Sequence, residues 1–245
     1  MSKIALVTGG GSGIGKACAL ELAQNGYSVI VTGRKQEPLD KTVGEMGGGG
    51  AVTCDVTDVV QVDALFEQIK AEHGRLDVLF NNAGNNVAAA PIGDIPPEDF
   101  LKVINVNLYG AFLCARGAFN LMRDQSPQGG RIINNGSISA AVPRPGSTPY
   151  TSSKHAITGM TRSISLDGRP FNIACGQIDI GNAASDMTAR MQTGVQQADG
   201  SVKPEPVMDV ANVAKSVRHM ADLPLEANVQ FMTVMASSMP FIGRG

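Results

Sequence analysis

The stretch Ile4-Ala-Leu-Val-Thr-Gly-Gly-Gly-Ser-Gly-Ile-Gly15 decides the fold of this chain. Its first four residues are apolar and rich in β-branched types, which predicts a buried strand, and the residues from Gly13 onward predict a helix. The glycines between them let a backbone approach a phosphate closely, while the start of the helix offers unpaired N–H groups and the positive end of the helix dipole. A glycine-rich loop alone also suits a tight turn, but between a strand and a helix this spacing predicts a dinucleotide-binding loop.

Alternation of strands and helices continues along the rest of the chain. The predicted strands are Ile4–Val7, Ser28–Thr32, Ala51–Cys54, Leu76–Phe80, Arg131–Asn135, Asn172–Gln177 and Val229–Val234. Because these runs are continuously apolar, we expect strands that helices cover on both faces. The order predicts an α/β fold, a Rossmann-type doubly wound parallel sheet of about seven strands, built as a single domain over residues 1–245. A long helical stretch is predicted over Pro97–Met122.

Composition and charge limit the classes of partner. Of 245 residues, 43% are hydrophobic and 17% are charged, which is enough for a packed core and argues against disorder. The net charge is −2 and no long basic run occurs, so we predict no nucleic-acid partner and no membrane partner. Four scattered cysteines and three scattered histidines lack ligand spacing, which predicts reduced thiols, a cytoplasmic location and no metal site.

Further motifs follow the predicted strands, at the carboxyl edge of the sheet where such folds bind ligands. Asn81-Asn-Ala-Gly84 follows the fourth strand, and its small residues and amides suit either a cofactor or an ordinary turn. Tyr150 and Lys154 form a YxxxK pattern that places both on one helix face. A cation beside a phenol lowers the pKa of the phenol, so Tyr150 could exchange a proton with an alcohol or carbonyl oxygen near neutral pH. An isolated YxxxK is more often an exposed helix face.

Taken together, the motifs resemble those of the short-chain dehydrogenases/reductases, in the short single-domain branch of the family. The order and spacing of TGxxxGxG at Thr8–Gly15, NNAG at Asn81–Gly84, a mid-chain Asn, a Ser and YxxxK all match. The resemblance runs from about Lys3 to Gly181 and more loosely to the C-terminus. It implies an enzyme that moves hydride between a nicotinamide dinucleotide and a small-molecule carbonyl or alcohol substrate.

The resemblance also implies four catalytic residues. Tyr150 would be the proton donor, and Ser137, thirteen residues before it, would hydrogen-bond the substrate oxygen and stabilise its developing charge. Lys154 would bind the nicotinamide ribose, and Asn107 would hold a water in a proton relay behind it. Asn105 competes for the relay position, but the Leu-Tyr-Gly that follows favours Asn107.

Cofactor contacts are implied along the same edge of the sheet. They are Gly9, Ser12, Gly13, Ile14, Gly15, Arg34, Asp55, Val56, Asn82, Ala83, Gly84, Tyr150, Lys154, Ile180 and Ser185. An acidic residue at the end of the second strand would bind the ribose 2′-OH of NAD(H), but Gly33 stands there. Arg34 follows it and suits a 2′-phosphate, which favours NADP(H). NAD(H) stays possible, because Ser12 stands where many NADP-dependent relatives carry a base.

Several positions depart from the family pattern. Ile180-Gly181 replaces the usual Pro-Gly after the sixth strand, and Ser185 stands in for a Thr. The fifth strand ends in Asn134-Asn-Gly-Ser137, where an apolar residue followed by Ser-Ser is more common. Arg144 lies between Ser137 and Tyr150 and either meets an anionic substrate or lies on the surface.

The resemblance implies a homo-oligomer, either a tetramer or a dimer. The polar segment 182–206 interrupts the strand–helix alternation, and we predict a mobile substrate lid within it. The alternative function is a catalytically silent, dinucleotide-sensing binding protein with the same fold. The complete set of catalytic residue types favours the enzyme.

Overall fold

The computed structural model describes residues 2–184, 191 and 193–242. Its strands are β1 (Ile4–Thr8), β2 (Ser28–Gly33), β3 (Gly50–Thr53), β4 (Val78–Asn81), β5 (Gly130–Asn135), β6 (Ile173–Gly181), β7 (Val195–Gln196), β8 (Val202–Lys203) and β9 (Phe231–Met235). Its helices are α1 (Gly13–Gln24), α2 (Gln36–Met46), α3 (Val59–His73), α4 (Pro97–Ile104), α5 (Ala111–Asp124), α6 (Thr148–Asp167) and α7 (Val210–Asp222). None of the helices in these ranges is long and apolar enough to cross a membrane.

Seven strands form one parallel sheet in the order β3-β2-β1-β4-β5-β6-β9. The order reverses between β1 and β4, which pair directly through Ala5 and Val78. This is the doubly wound Rossmann arrangement, in which a crevice opens at the carboxyl ends of the strands beside the reversal point. The predicted fold class is therefore confirmed.

Strand β1 shows why the predicted runs are continuously apolar. Ala5 and Val7 pack into the core on the side of α1, α2 and α7, whereas Ile4 and Leu6 pack into the core on the side of α3 and α5. Successive side chains of a strand point to opposite faces, so a strand with helices on both sides needs apolar residues at every position. Burial on both faces fixes β1 in the centre of the sheet and holds its glycine-rich loop at the edge.

Three segments differ from the sequence prediction. The sixth strand was expected to end at Gln177, but β6 continues to Gly181 because it pairs with β9 from Gln177 to Gly181. The helical stretch predicted over Pro97–Met122 is divided by a π-helical turn, Asn105–Gly110, between α4 and α5. Within the segment predicted as a lid, β7 and β8 form a short antiparallel ribbon, and the mobility of the lid stays a prediction.

Candidate active site

A cavity of about 540 Å³ lies at the carboxyl edge of the sheet, across the reversal point between β1 and β4. Every predicted cofactor residue that the structure describes borders it: Gly9, Ser12, Gly13, Ile14, Gly15, Arg34, Asp55, Val56, Asn82, Ala83, Gly84, Tyr150, Lys154 and Ile180. Ser185 lies outside the described residues. The fold thus brings together residues that are spread over most of the chain, and their contacts with a cofactor stay predictions.

The glycine-rich loop fits tightly against the neighbouring strand end. A Cβ on Gly15 would overlap the Gly9 carbonyl oxygen and lie 2.6 Å from Asn82 Nδ2. Gly9 and Gly13 have φ values of +66° and +51°, in the left-handed region that favours glycine. Ser12 precedes α1 and makes no side-chain capping bond, while the first N–H groups of a helix have no partner inside it. This concave loop fits the pyrophosphate of a dinucleotide.

Asn82 joins three strands at the floor of the cavity. Its backbone N–H donates to Thr8 Oγ1 and its Nδ2 donates to the Thr8 carbonyl, both at 2.9 Å. Its Oδ1 accepts from Asn135 Nδ2 at 2.8 Å, and the N–H of Ala83 also donates to Thr8 Oγ1 at 2.9 Å. The polar atoms of the Asn82 side chain therefore bind β1 and β5, and the NNAG segment braces the crevice as well as lining it.

The far end of the cavity carries the side chains expected to meet an adenosine. Asp55 Oδ1 accepts from the backbone N–H and the hydroxyl of Thr57, at 3.0 and 2.8 Å. Val56 is buried, whereas Arg34 and Lys35 are exposed at the end of β2. This end of the cavity therefore combines an apolar floor with a cationic rim.

Ser137, Tyr150 and Lys154 meet at the near end of the cavity. Tyr150 and Lys154 lie on the first turns of α6, and Ser137 follows β5. Ser137 lies near Tyr150, and Lys154 Nζ lies 5.5 Å from the centroid of the Tyr150 ring. Lys154 Nζ donates to the Asn135 carbonyl at 2.7 Å. Ser137 and Lys154 are each only 5% exposed, so their polar groups act in a desolvated site.

Burial dominates the protonation of this group. Burial raises the pKa of Tyr150, and the negative charge of Asp179 raises it further. Ser137 and the positive charge of Arg144 act in the opposite direction and lower this pKa, but their effect is smaller than that of burial. Burial also lowers the pKa of Lys154 to about 8, against the opposing effect of Asp179. The sequence predicted a lowered pKa for Tyr150. In the structure the pKa is raised, because desolvation of the phenolate outweighs the stabilising groups.

Asn107 lies behind this group, in the π-helical turn, and is 2% exposed. Its Oδ1 accepts from the N–H of Asn85 at 2.8 Å, and its Nδ2 donates to the Asn85 carbonyl at 3.0 Å and to Ser153 Oγ at 3.1 Å. The side chain therefore fixes the loop after NNAG to α6. π-Helical turns are frequent at functional sites. The water-holding role of Asn107 stays a prediction.

A second cavity of about 270 Å³ lies on the other side of Tyr150. Its lining includes Ser137, Arg144 and Met191. Arg144 forms an ion pair with the buried carboxylate of Glu205 and donates to Asn182 Oδ1 at 2.9 Å. Arg144 thus lies in the site, and not on the surface. No local pattern pointed to Glu205, which lies 61 residues further along the chain.

A buried row of polar side chains runs across three strands behind Ser137, and it joins Asn81 of the NNAG motif and Asn134 of the fifth strand to Gln177, which no motif included. Asn81, Asn134 and Gln177 pair in register on β4, β5 and β6. Asn81 Nδ2 donates to Asn134 Oδ1 at 3.2 Å, and Asn134 Nδ2 donates to Thr161 Oγ1 at 2.9 Å. Thr161 Oγ1 in turn donates to Gln177 Oε1 at 3.1 Å. Polar residues at period two in an otherwise apolar strand, Gln177 and Asp179, were the available signal.

Comparison with known proteins agrees with this geometry. Residues 3–196 match the family model described as short chain dehydrogenase. A 3β-hydroxysteroid dehydrogenase of Mediterraneibacter gnavus is 35% identical over 198 residues, which cover 79% of this chain and 71% of that protein.

Solved structures show the same architecture. Actinorhodin polyketide ketoreductase with NADPH has a TM-score of 0.86 at 26% identity, covering 96% of each chain. The 3-ketoacyl-(acyl-carrier-protein) reductase of Brucella melitensis in complex with NADH has a TM-score of 0.86 at 23% identity, covering 96% of this chain and 97% of that one, and shows the fold. The family model spans well over half of the chain. The protein therefore belongs to the short-chain dehydrogenase/reductase family of oxidoreductases, which act on CH–OH groups.

Proposed function

We propose that the protein is an NADP(H)-dependent oxidoreductase that interconverts a ketone or aldehyde and an alcohol, with Tyr150 as the general acid and base. One observation carries the proposal. Tyr150 borders both cavities, Ser137 lines the smaller cavity with it, and Lys154 lies beside its ring. A proton donor at this junction reaches a substrate in the smaller cavity and a cofactor in the larger one. The family relationship supports a nicotinamide cofactor.

The larger cavity fits that cofactor from end to end. The loop Gly9–Gly15 would hold the pyrophosphate, Asp55 and Val56 the adenine, and Lys154 the nicotinamide ribose. Ile180, together with Ser185 outside the described residues, would meet the carboxamide. When bound, the cofactor supplies or accepts hydride.

The residues of the chain supply the proton and the oxygen-binding groups. During carbonyl reduction Tyr150 donates its phenolic proton to the substrate oxygen. The N–H of Ser139 donates to Ser137 Oγ at 3.1 Å, which leaves the proton of Ser137 to be donated to that same oxygen. Lys154 and Asn107 then resupply the proton of Tyr150, and alcohol oxidation follows the same path in reverse. Met191 and 194–196 line the smaller cavity, which supports the substrate lid.

Coenzyme preference tests the cationic rim. We expect purified protein to bind NADPH more tightly than NADH in a titration followed by nicotinamide fluorescence. Arg34→Gln should weaken NADPH binding about tenfold and leave NADH binding unchanged, because only the 2′-phosphate accepts charge-assisted hydrogen bonds from Arg34. Arg169→Gln, an exposed change at the amino end of β6, is the control. A preference for NADH would overturn the role of Arg34, and binding of neither nucleotide would contradict the proposed function.

We further propose a cytoplasmic homo-oligomer, a dimer or tetramer. All four cysteines are buried free thiols, which suits a reducing compartment. Exposed apolar side chains follow one another along α4, the π-helical turn and α5, namely Phe100, Leu101, Tyr109 and Phe112. Large exposed apolar side chains on neighbouring turns are typical of a subunit interface.

Light scattering during size-exclusion chromatography measures the oligomeric state directly. We expect a mass of at least two chains for the wild-type protein. Phe112→Glu should shift it towards a smaller species, because the charge would be desolvated in the interface. Val202→Glu, on the exposed β8, should leave the mass unchanged. A monomeric wild-type protein would refute the assembly.

A further inference from the structure

Asp179 lies on β6, beside the carboxyl end of β5, where the chain continues to Ser137. Its Oδ1 accepts from the backbone N–H of Ser137 at 2.9 Å and from Gln177 Nε2 at 2.8 Å. Gln177 Nε2 also donates to Thr158 Oγ1 on α6 at 3.0 Å. One carboxylate oxygen therefore connects the main chain of Ser137 with the helix that carries Tyr150 and Lys154.

Gly136 leaves the space that the Asp179 carboxylate occupies. A Cβ on Gly136 would overlap Asp179 Oδ1 and lie 2.6 Å from Gln177 Nε2. Glycine at position 136 is therefore required as long as Asp179 and Gln177 keep their places. This accounts for the departure at the end of β5, where Gly136 stands in place of the Ser that is more common in the family.

Asp179 also places a charge beneath the reacting groups. It is partly buried, and the titratable groups that interact with it are Lys154 and Tyr150, both on α6. Of its neighbouring strands, β9 carries no charged residue, and the one charged residue of β5, Arg131, binds Asn228 and main-chain carbonyls at the opposite end of the sheet. The negative charge of Asp179 favours the protonated forms of Lys154 and Tyr150.

We propose that Asp179 is a positioning residue for the reaction, which holds Ser137 against α6 and keeps Lys154 protonated beside Tyr150. The inference rests on the proposed function, because it assigns a role within the same site. It adds a carboxylate to the group formed by Ser137, Tyr150, Lys154 and Asn107.

Asp179→Asn separates the charge from the hydrogen bond, because the amide oxygen still accepts from Ser137. Loss of the negative charge should lower the pKa of Lys154 from about 8 and also lower that of Tyr150. The limb of the pH–kcat profile that reports these groups should therefore move to lower pH by about one unit. Asp179→Ala removes the acceptor as well, and we expect an additional loss of about tenfold in kcat as the N–H of Ser137 loses its partner.

The same titration can be followed without turnover. ¹³C NMR of labelled lysine ε-carbons reports the pKa of Lys154 directly, with Lys154→Arg identifying its signal. Asp167→Asn, at the exposed end of α6, is the matched control and should leave the signal unchanged. Circular dichroism confirms that each variant is folded.

A lowered pKa of Lys154 in Asp179→Asn, together with the shifted pH profile, would support the proposal. A wild-type titration of Lys154 in Asp179→Asn, or full kcat in Asp179→Ala, would overturn it. Should the wild-type protein reduce no carbonyl compound with either coenzyme, the proposed function fails. The NMR titration would still decide whether Asp179 controls Lys154.

Discussion

Tyr150→Phe should lower kcat for carbonyl reduction by about 10²- to 10⁴-fold, the range expected for loss of a general acid. Phenylalanine keeps the ring and its packing against Lys154, but it removes the hydroxyl that would donate the proton. NADPH affinity should stay within about threefold of the wild-type value, because the ring still borders the larger cavity. Steady-state kinetics at saturating NADPH and a fluorescence titration provide the two measurements.

Tyr109→Phe is the matched control for this substitution. Tyr109 is 44% exposed on the π-helical turn, so removal of its hydroxyl should leave kcat unchanged. Full turnover in Tyr150→Phe would show that another group donates the proton. A wild-type protein that binds nucleotide but turns over no alcohol or carbonyl would instead favour the dinucleotide-sensing alternative.

Gly15→Ala should weaken NADPH binding by at least about tenfold and lower the free energy of unfolding by about 1–3 kcal/mol. The added Cβ would overlap the Gly9 carbonyl oxygen and crowd Asn82 Nδ2. Neither atom can move cheaply, because one belongs to the loop backbone and the other donates to the Thr8 carbonyl. Relief of the overlap therefore displaces the loop from the shape that fits a pyrophosphate. Urea unfolding and the fluorescence titration measure the two effects.

Gly44→Ala is the matched control for Gly15→Ala, because it makes the same chemical change at a position with free space. Gly44 lies inside α2, and a Cβ there would meet nothing within 4 Å. Alanine should raise the free energy of unfolding by about 0.5–1 kcal/mol and leave NADPH binding unchanged. If Gly15→Ala binds NADPH like the wild-type protein, the glycine-rich loop does not hold the pyrophosphate.

The fold was predictable because its five inner strands, β1, β2, β4, β5 and β6, are buried on both faces. Seven apolar runs separated by helical segments leave few arrangements other than a doubly wound sheet. The end of β6 was not predictable by the same signal, since Gln177 and Asp179 are polar and look like the start of a loop. Their burial depends on partners from α6 and β5, which the local sequence does not contain.

Some features of the candidate site could also be predicted from the sequence, and others could not. The positions of Ser137, Tyr150 and Lys154 could be predicted, because short motifs with fixed spacing carry them. The direction of the Tyr150 pKa could not, because the sequence shows the neighbouring Lys but not the depth of burial. The Arg144–Glu205 ion pair was equally hidden, since it joins two loops that only the tertiary fold brings together.

The buried row of polar side chains across β4, β5 and β6 affects how accurately the strands of the sheet align. A slip of β5 by one residue would turn Asn134 towards the apolar core on the side of α1 and α7. Asn81 and Thr161 would each lose Asn134 as a partner, and every buried polar group left unpaired costs about 1–3 kcal/mol. Apolar side chains tolerate small misalignments far better than such directional bonds. The polar row therefore selects a single alignment of the strands at the edge where Ser137 and Asp179 must meet, so the catalytic geometry is fixed when the sheet forms.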